Sequence, residues 1–519
     1  MKNTLRILSL VVVVIMLGAM LSACNLFTND LGGTGNNGGN GGNTPPPSDS
    51  GDNLTSDLPS LNYEGATVTI LCSAKDTVRA EFYAEGASAN AIESAVFRRN
   101  ETVKERLNVN LNIILDQASA ADISEINKKI ASAVNSSQDI YDVAVGATYL
   151  TTVSVNSGCF RNLKNCDYLN LNKLYWSQGF NKALSYGTDR QYIANGSIVL
   201  SIYRCLNCTI FNKTMFNDKQ ETSPYSIVES GDWTMEYQLN ASKRLATGTS
   251  NPDTAIYGMA GGLKVSTDPY WVSLDAPLVS KDANNAFQYV GSNSTAKNKV
   301  IKAAGAIIDL YMDASCFVAP NADDSFTNIS TAHETFYNNR AAMASTVIYN
   351  IERTTEQLGN IEYGIVPMPK LDKSQGSYLT GVQDQVSALG ILLPIAEDRI
   401  QMVGAVLECL AAESYNTVVD EYYNNIMQYR FAQDVDTQKM LDIIYEGSCM
   451  PLTAIYTGVL NEGVGSGVTT FLRNIVSDGV SAGGQNPAST AISTVNSPLK
   501  KNVKTLNEAF EKLEAKKTA

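Results

Sequence analysis

Residues 66–71, Ala-Thr-Val-Thr-Ile-Leu, begin the pattern that decides the fold, because a short apolar run of this kind predicts a buried strand. Apolar residues recur at helical spacing over residues 92–107, and asparagine alternates with Val, Leu and Ile over residues 108–113. Helical spacing returns over residues 123–134, and residues 141–146 are again strand-like. The order strand, helix, strand, helix, strand predicts a parallel sheet wrapped by helices.

The predicted sheet also indicates where a ligand would bind. In open sheets of this kind, ligands lie beyond the carboxyl ends of the strands. This rule points to the loop after Val145, at residues 146–150.

The last helix of the chain is predicted to begin at Ser497-Pro498, since serine followed by proline is typical of a helix start. Its apolar stripe consists of Leu499, Val503, Leu506, Phe510 and Leu513.

Length and charge limit the function classes. The part that we expect to fold begins near Leu58 and has about 460 residues, more than one hydrophobic core usually supports, so two lobes are expected. The whole chain has 39 Lys and Arg residues against 52 Asp and Glu residues, a net charge of -13. A nucleic-acid-binding protein would be basic, so this balance argues against nucleic acid as a partner.

The N-terminal residues predict export. Lys2 and Arg6 precede an apolar run at residues 7–21, which is too short for a stable membrane span and is typical of a signal peptide. The run ends in Leu21-Ser22-Ala23-Cys24, which resembles the lipobox of bacterial lipoproteins, in which the cysteine thiol receives a diacylglycerol. We therefore expect residues 1–23 to be removed and Cys24 to anchor the protein to the outer face of the cell membrane. The alternative is an ordinary signal peptide with a coincidental cysteine.

Residues 24–58 are predicted to be a flexible tether. They are rich in Gly, Asn, Pro, Ser and Thr and nearly free of large apolar residues, so they cannot bury enough surface to offset the entropy of ordering. About 34 residues of such coil have an r.m.s. span on the order of 30 to 35 Å. The folded part would reach away from the bilayer while remaining attached.

The cysteines and the single histidine do not predict a metal site. An exported protein can form disulfides, and the close pair Cys159 and Cys166 is the best candidate, although the connectivity of the eight mature cysteines is left open. The Cys205-x-x-Cys208 pair has no second pair and no histidine partner, and a buried strand would point its two thiols to opposite faces. We expect no metal and no cofactor.

Catalytic motifs are also missing from the sequence. It contains no P-loop, no G-x-S-x-G and no H-E-x-x-H, and the one histidine, His333, is expected to be an ordinary surface residue on a helix. Acidic pairs such as Asp323-Asp324 are typical of solvated loops. We therefore expect the protein not to be an enzyme.

Four segments of the chain match motifs that occur together in one protein family. Residues 336–343, Phe-Tyr-Asn-Asn-Arg-Ala-Ala-Met, are similar to the motif F-x-x-G-x-A-A-M, and residues 363–370, Tyr-Gly-Ile-Val-Pro-Met-Pro-Lys, are similar to Y-G-x-x-P-x-P. Residues 211–216 resemble Y-N-K-x-x-F, and residues 232–234 resemble the W-T that opens the next helix. The departures are Asn339 in place of glycine and Phe211 in place of tyrosine. Together these segments resemble the extracellular solute-binding proteins of ABC importers, in particular the carbohydrate-binding group.

The resemblance implies an α/β, two-lobed periplasmic-binding-protein-like fold in which each lobe is a mainly parallel sheet wrapped by helices and a hinge joins the lobes. The implied lobe 1 consists of residues 59–202 and 380–430. The implied lobe 2 consists of residues 203–379 and of a C-terminal helical part at residues 431–519. The resemblance further implies a monomer that delivers a mono- or oligosaccharide to the permease subunits of an ABC transporter.

The resemblance also nominates residues of a ligand cleft. Sugars pack their C–H faces on aromatic rings and need planar polar groups for their hydroxyls. With only three tryptophans and 25 tyrosines in the chain, tyrosine is expected to supply most of the rings. The nominated residues are Asp268, Tyr270, Trp271, Tyr349, Thr148, Tyr149, Tyr203, Arg204, Gln383 and Asp384. Trp233 is expected to be a packing residue at a helix start.

Two alternatives remain open at this stage. A cell-surface protein that adheres to glycans without transport would present an open aromatic shelf instead of a deep cleft. A receptor for peptides or acidic sugars would have a basic cleft, with Arg204 or Arg430 facing inward.

Replacing Cys24 with serine tests the anchor. Serine lacks the thiol that takes the lipid, so Cys24→Ser protein is expected to fold and to leave the membrane fraction. Cell fractionation with immunoblotting measures this, and Asn25→Ser, which keeps the thiol, is the matched control. Retention of Cys24→Ser in the membrane fraction after its signal segment has been cleaved would contradict the assignment.

Overall fold

A computed structural model describes residues 54–88, 90–320, 330–383, 385–423 and 435–515. Its strands are β1 Ala66–Ser73, β2 Val109–Asp116, β3 Val143–Ala147, β4 Ser185–Tyr186, β5 Arg190–Gln191, β6 Asn207–Asn212, β7 Met259–Gly261, β8 Val279–Lys281, β9 Phe287–Tyr289, β10 Cys316–Val318, β11 Met343–Val347, β12 Tyr363–Val366, β13 Thr380–Gly381, β14 Ser387–Ile391 and β15 Ser448–Cys449. No helix among these residues is long and apolar enough to cross a membrane.

The helices surround the strands. They are α1 Asp76–Phe82, α2 Ala91–Leu107, α3 Ala118–Ala121, α4 Glu125–Asn135, α5 Thr148–Asn156, α6 Gln178–Leu184, α7 Ser201–Arg204, α8 Lys213–Asp218, α9 Pro224–Glu229, α10 Met235–Leu245, α11 Asp268–Ser273, α12 Ser294–Met312, α13 Thr331–Tyr337, α14 Ile348–Arg353, α15 Thr355–Leu358, α16 Glu397–Ser414, α17 Val435–Glu446, α18 Leu452–Ile455, α19 Thr457–Leu460, α20 Val468–Ser481 and α21 Ala488–Lys512.

The first sheet has the strand order β14-β3-β1-β2. Strand β1 pairs in parallel with both β2 and β3, while β14 pairs antiparallel with β3. The predicted alternation over residues 66–146 is confirmed, because β1, α2, β2, α4 and β3 follow one another in that order. The apolar faces of α2 and α4 are buried against this sheet, as the helical spacing indicates.

The second sheet has the strand order β10-β7-β11-β6-β12. Strands β10, β7 and β11 are parallel, and β6 runs antiparallel between β11 and β12. The two sheets are therefore mainly parallel and open, each with one antiparallel strand, and the α/β two-lobed class is confirmed. The lobe boundaries along the chain stay predictions.

The last helix begins earlier than the sequence predicts. Helix α21 starts at Ala488, and Pro498 lies inside it instead of at its start. Proline normally disfavours a helix interior, but the apolar stripe continues upstream through Ile492 and Val495, both buried. Burial of this longer stripe offsets the one backbone hydrogen bond that proline cannot make. The predicted stripe residues up to Phe510 are buried, and Leu513 caps the helix end.

The backbone conformation of Asn339 explains why asparagine can stand where the motif F-x-x-G-x-A-A-M has glycine. Its φ of 57° lies in the left-handed region, where glycine is usual and asparagine is tolerated. Its side chain also accepts a hydrogen bond of 2.8 Å from the Nδ2 atom of Asn212, the residue that caps α8. Asparagine therefore meets the backbone requirement of the glycine position and connects two of the recognised motifs.

Two expectations about single side chains are wrong. His333 is 2% exposed, because its Nδ1 atom accepts a hydrogen bond from the backbone N–H of Ser330 and so completes a capping box at the start of α13. Cys159 and Cys166 are separate buried thiols and form no disulfide. Trp233, in contrast, packs as expected: it is fully buried, and its Nε1 atom donates to the carbonyl of Pro367.

The last residues of the predicted tether pack on the folded body. The backbone N–H of Leu54 donates to the side chain of Asn416 at 3.1 Å, and the same side chain donates to the carbonyl of Leu54 at 2.8 Å. Ser56 is buried, and Leu58 packs against the core. Residues 54–58 thus lie on the body, and residues 24–53 fall outside the described ranges.

A buried carboxylate holds the two segments that connect the sheets. Glu81 of α1 is 2% exposed and accepts a hydrogen bond of 2.6 Å from the N–H of Ser201, where the chain leaves the first sheet. The Oγ atom of Ser201 accepts a hydrogen bond of 2.9 Å from the N–H of Ser387, where the chain returns as β14. Burial raises the pKa of Glu81 to about 7, although the hydrogen bond from Ser201 and the charge of Arg204 act to lower it.

Stability should therefore depend on pH through Glu81. Its folded pKa lies above the ordinary value, so its contribution is complete in acid and is lost as pH rises through about 7. Between pH 5 and pH 8, wild type is expected to lose about 2.5 kcal/mol of unfolding free energy relative to Glu81→Gln, which cannot ionise. Urea unfolding at several pH values measures this, with exposed Glu85→Gln as the control. A difference between wild type and Glu81→Gln that is independent of pH would contradict the role.

Candidate functional site

The carboxyl ends of four strands lead into helices, three of which carry nominated residues. In the first sheet, β1 leads to α1 and β3 leads directly to α5. In the second sheet, β7 leads to α11 and β11 leads to α14. Helix α7, in the first connection between the sheets, packs against both α1 and α14. Helix α11 packs against β13, in the second connection. The strand ends of both sheets therefore adjoin the connections, which is where a ligand between two lobes would lie.

Tyr349 is the nominated ring with the most distinctive surroundings. It is half-buried near the start of α14. The guanidinium carbon of Arg204 lies 4.5 Å from the centroid of its ring, and that of Arg353 lies 5.3 Å away. Both distances are within the range of cation–π attraction, so the two guanidinium groups hold the ring in place. Part of the Tyr349 side chain remains exposed.

Arg204 is held by a carboxylate that the sequence analysis did not nominate. Its Nε atom lies 3.1 Å and its Nη2 atom 2.9 Å from Oε2 of Glu352, and the two side chains are 20% and 13% exposed. Tyr422 donates its hydroxyl to Oε1 of the same carboxylate. Burial lowers the pKa of Arg204, but the negative charge of Glu352 outweighs it and holds that pKa above its usual range. Burial and Glu352 together raise the pKa of Tyr422 well above its ordinary value.

Asp268 belongs to a second paired carboxylate. Its two oxygens accept hydrogen bonds of 2.9 and 2.5 Å from Nε and Nη2 of Arg473, on α20. The side chains of Asp268 and Arg473 are 29% and 25% exposed, so both can still reach solvent or a ligand. Arg473 was not predicted from the sequence, since it lies 205 residues from its partner.

The two aromatic residues after Asp268 differ. Tyr270 is fully buried, its hydroxyl donates to Gln238 at 3.1 Å, and burial raises its pKa. Its ring also meets that of Tyr311 edge to face. Trp271 is 5% exposed, and its Nε1 atom is buried without a hydrogen-bond partner among the described residues. In this arrangement Tyr270 is a core residue, while Trp271 has a polar atom left for a ligand or for water.

On the first lobe, the nominated pair follows β3. Thr148 is fully buried, and its backbone N–H donates to the carbonyl of Val386 at 2.8 Å. Tyr149 is half-buried at the start of α5. Beside them, at the end of β1, Lys75 donates to Oε1 of Gln385 at 2.7 Å. The sequence predicts a loop after Val145, whereas in the structure strand β3 leads directly into helix α5.

The remaining nominated residues lie in the connections themselves. Tyr203 is buried and stacks on Tyr445 with ring centroids 4.7 Å apart, so its ring is part of the core. Gln383 donates its backbone N–H to the carbonyl of Cys205 at 3.2 Å, which ties the second connection to the first. Asp384 lies outside the described residues. The ligand-binding role of every nominated residue stays a prediction.

An open depression of about 320 Å³ lies elsewhere on the surface. It is bounded by Asn156, Ser157, Gly158, Thr505, Glu508, Ala509, Lys512 and Leu513. None of the nominated residues lines it.

Comparison with solved structures identifies the fold. A sugar transporter from Rhizobium etli, solved in an open conformation, matches 87% of this chain and all of its own at 14% identity and a TM-score of 0.52. A cyclo/maltodextrin-binding protein in complex with maltotetraose matches 85% of this chain and 98% of its own at 12% identity and a TM-score of 0.55. The sugar-binding protein MalE from Xanthomonas citri matches 86% and 100% at 12% identity and a TM-score of 0.52.

Sequence comparisons add nothing to this result, since no protein-family model and no curated protein matches the chain. The structural matches span essentially the full length of each neighbour at low identity, and such a likeness shows the fold. The chain therefore has the two-lobed fold of these sugar-binding proteins.

Removing the hydroxyl group of Tyr270 and of Tyr349, in separate variants, should distinguish a core residue from a residue of the candidate site. Tyr270→Phe leaves the buried oxygen of Gln238 without its donor and is expected to cost about 1 to 2 kcal/mol of unfolding free energy. Tyr349→Phe alters a half-buried ring and is expected to change it by less than about 0.5 kcal/mol. Denaturant unfolding measures both, and equal losses would show that Tyr349 is a core residue as well.

Proposed function

We propose that this protein is a lipid-anchored receptor that captures a mono- or oligosaccharide outside the cell and delivers it to the permease of an ABC transporter, without chemistry of its own. The observation that carries this proposal is the two-lobed fold. Solved structures that are named as sugar transporters or sugar-binding proteins match this chain over nearly their whole length. One of these neighbours holds maltotetraose. A receptor of this kind needs two lobes, because a ligand bound to one lobe can recruit the other and closure can be sensed by a membrane partner.

The charges near the connections favour a neutral ligand. Arg204 is paired with Glu352 and Arg473 with Asp268, in both cases through two atoms of the guanidinium group. Each pair is close to electrically neutral and still offers planar donors and acceptors of the kind that sugar hydroxyls need. For these two arginines, the pairing weighs against binding the carboxylate of a peptide or of an acidic sugar, which would require unpaired positive charge. Arg430, the other arginine considered for a basic cleft, lies outside the described residues.

The anchor and the partners belong to the proposal as well. Cys24 lies outside the described residues, so its lipidation rests on the sequence motif alone. The same holds for the extracellular location. The proposed receptor acts as a monomer that docks on permease subunits.

A sugar panel tests the proposed function. The mature protein without its lipid is heated with glucose, maltose, maltotetraose, raffinose, galacturonic acid and trialanine, since a ligand that binds only the folded state raises the melting temperature with concentration. A neutral sugar is expected to give the largest rise. The best hit is then titrated calorimetrically against Tyr349→Ala, which is expected to weaken binding roughly 30- to 1000-fold through loss of a central ring.

Scattering distinguishes transport from adhesion in the same samples. Closure of two lobes on a sugar should reduce the radius of gyration at saturation. Binding with an unchanged scattering profile would favour a rigid glycan-adhesion protein. Binding of galacturonic acid or trialanine in preference to every neutral sugar would contradict the neutral-ligand proposal.

A further inference from the structure

Arg204, Glu352 and Tyr422 form a connected group beside Tyr349, which we call the Arg204 clamp. Arg204 ends α7, in the first connection between the sheets. Glu352 lies on α14 three residues after Tyr349, so the two side chains share one face of that helix. Tyr422 lies in the helical segment that continues α16, which packs against α2 of the first lobe. The clamp therefore joins helix α14, which carries Tyr349, to the first connection between the sheets and to the first lobe.

The geometry of the clamp fixes the orientation of the guanidinium group. Glu352 binds it on the side of Nε and Nη2, at 3.1 and 2.9 Å, while its carbon lies 4.5 Å from the ring centroid of Tyr349. The third nitrogen, Nη1, makes no hydrogen bond with any described residue. Three of the five N–H donors of the group thus remain, two of them on Nη1.

These remaining donors suit a particular ligand chemistry. A guanidinium group can only donate, and here it lies over the half-buried ring of Tyr349. A sugar that contacts the exposed part of this ring would bring hydroxyl or ring oxygens, which accept hydrogen bonds, close to the guanidinium group. Since Glu352 balances the positive charge, the donors serve a neutral acceptor without leaving a charge unpaired.

Given the proposed function, we propose that Glu352 is a positioning residue of the sugar site, which holds the Arg204 guanidinium against the Tyr349 ring so that its free amino group donates to a hydroxyl of a neutral sugar. Tyr422 supports the same arrangement, because its hydroxyl occupies the other oxygen of Glu352. A long arginine side chain loses much rotational freedom when it is fixed, and the two hydrogen bonds to Glu352 offset that loss before ligand arrives.

Glu352→Gln tests the proposal, because glutamine keeps the shape of the side chain but removes the negative charge that holds the guanidinium group. The matched control is Glu221→Gln: Glu221 also binds Nε and Nη2 of an arginine, Arg244, at 2.6 and 2.9 Å, and that arginine also lies over a tyrosine ring, Tyr237, at 5.9 Å. The probes are the tightest-binding neutral sugar of the panel and its monodeoxy analogues, titrated calorimetrically. Glu352→Gln is expected to weaken the parent sugar by roughly 10- to 100-fold, and Glu221→Gln by less than about twofold.

Selectivity separates positioning from simple stability. Wild type should prefer the parent sugar over the one deoxy analogue that lacks the contacted hydroxyl, and Glu352→Gln should lose that preference while keeping the others. Tyr422→Phe, which leaves the ion pair intact, should weaken binding in the same direction by a smaller factor. Binding by Glu352→Gln that equals wild type, or that falls by one common factor for all analogues together with a lower melting temperature, would overturn the inference. Failure of wild type to bind any sugar would instead overturn the proposed function, on which the inference rests.

Discussion

The fold requires chain segments that leave one sheet and enter the other, and the rest of the structure depends on how these connecting segments are stabilised. Backbone groups in such segments have no ladder partner, and a buried one without a hydrogen bond is costly. Here the carboxylate of Glu81 accepts from Ser201 at one connection, and Ser201 accepts from Ser387 at the other. Leu206 and Val382 pair as an isolated antiparallel bridge beside them. Glu81 and Ser201 thus each satisfy a backbone N–H in one of the two connections, and the raised pKa of Glu81 follows from its burial there.

The C-terminal residues add a contact that is far from those connections in the sequence. The ring of Phe510 lies 5.3 Å from that of Tyr186 and 5.5 Å from that of Phe287, which belong to the hairpins β4–β5 and β8–β9. The side chain of Asn285 also donates to the carbonyl of Gly187 between the same hairpins. Helix α21 therefore packs against segments that the sequence assigns to different lobes, and any relative motion of the lobes has to preserve or rebuild this aromatic cluster.

The sequence could predict what is local and periodic. Strand and helix spacing over residues 66–146 is a property of neighbouring residues, and it predicted β1, α2, β2, α4 and β3 correctly. It could not tell Tyr270 from Trp271, because adjacent positions of a short helix point in different directions and only the packed structure shows which side meets Gln238. His333 was missed for a related reason: a histidine took the capping role that glutamate or glutamine usually fills.

The partners of the candidate site could not be predicted because they are distant along the chain. Glu352 lies 148 residues from Arg204, and Arg473 lies 205 residues from Asp268. Their pairing has a physical consequence for a site that closes. An unpaired arginine or aspartate would lose its water on closure and gain nothing comparable from a neutral sugar, whereas a paired one has already exchanged most of that water for its partner. Under the proposed function, two such pairs beside the connections would offer polar groups to sugar hydroxyls while limiting the desolvation that closure demands.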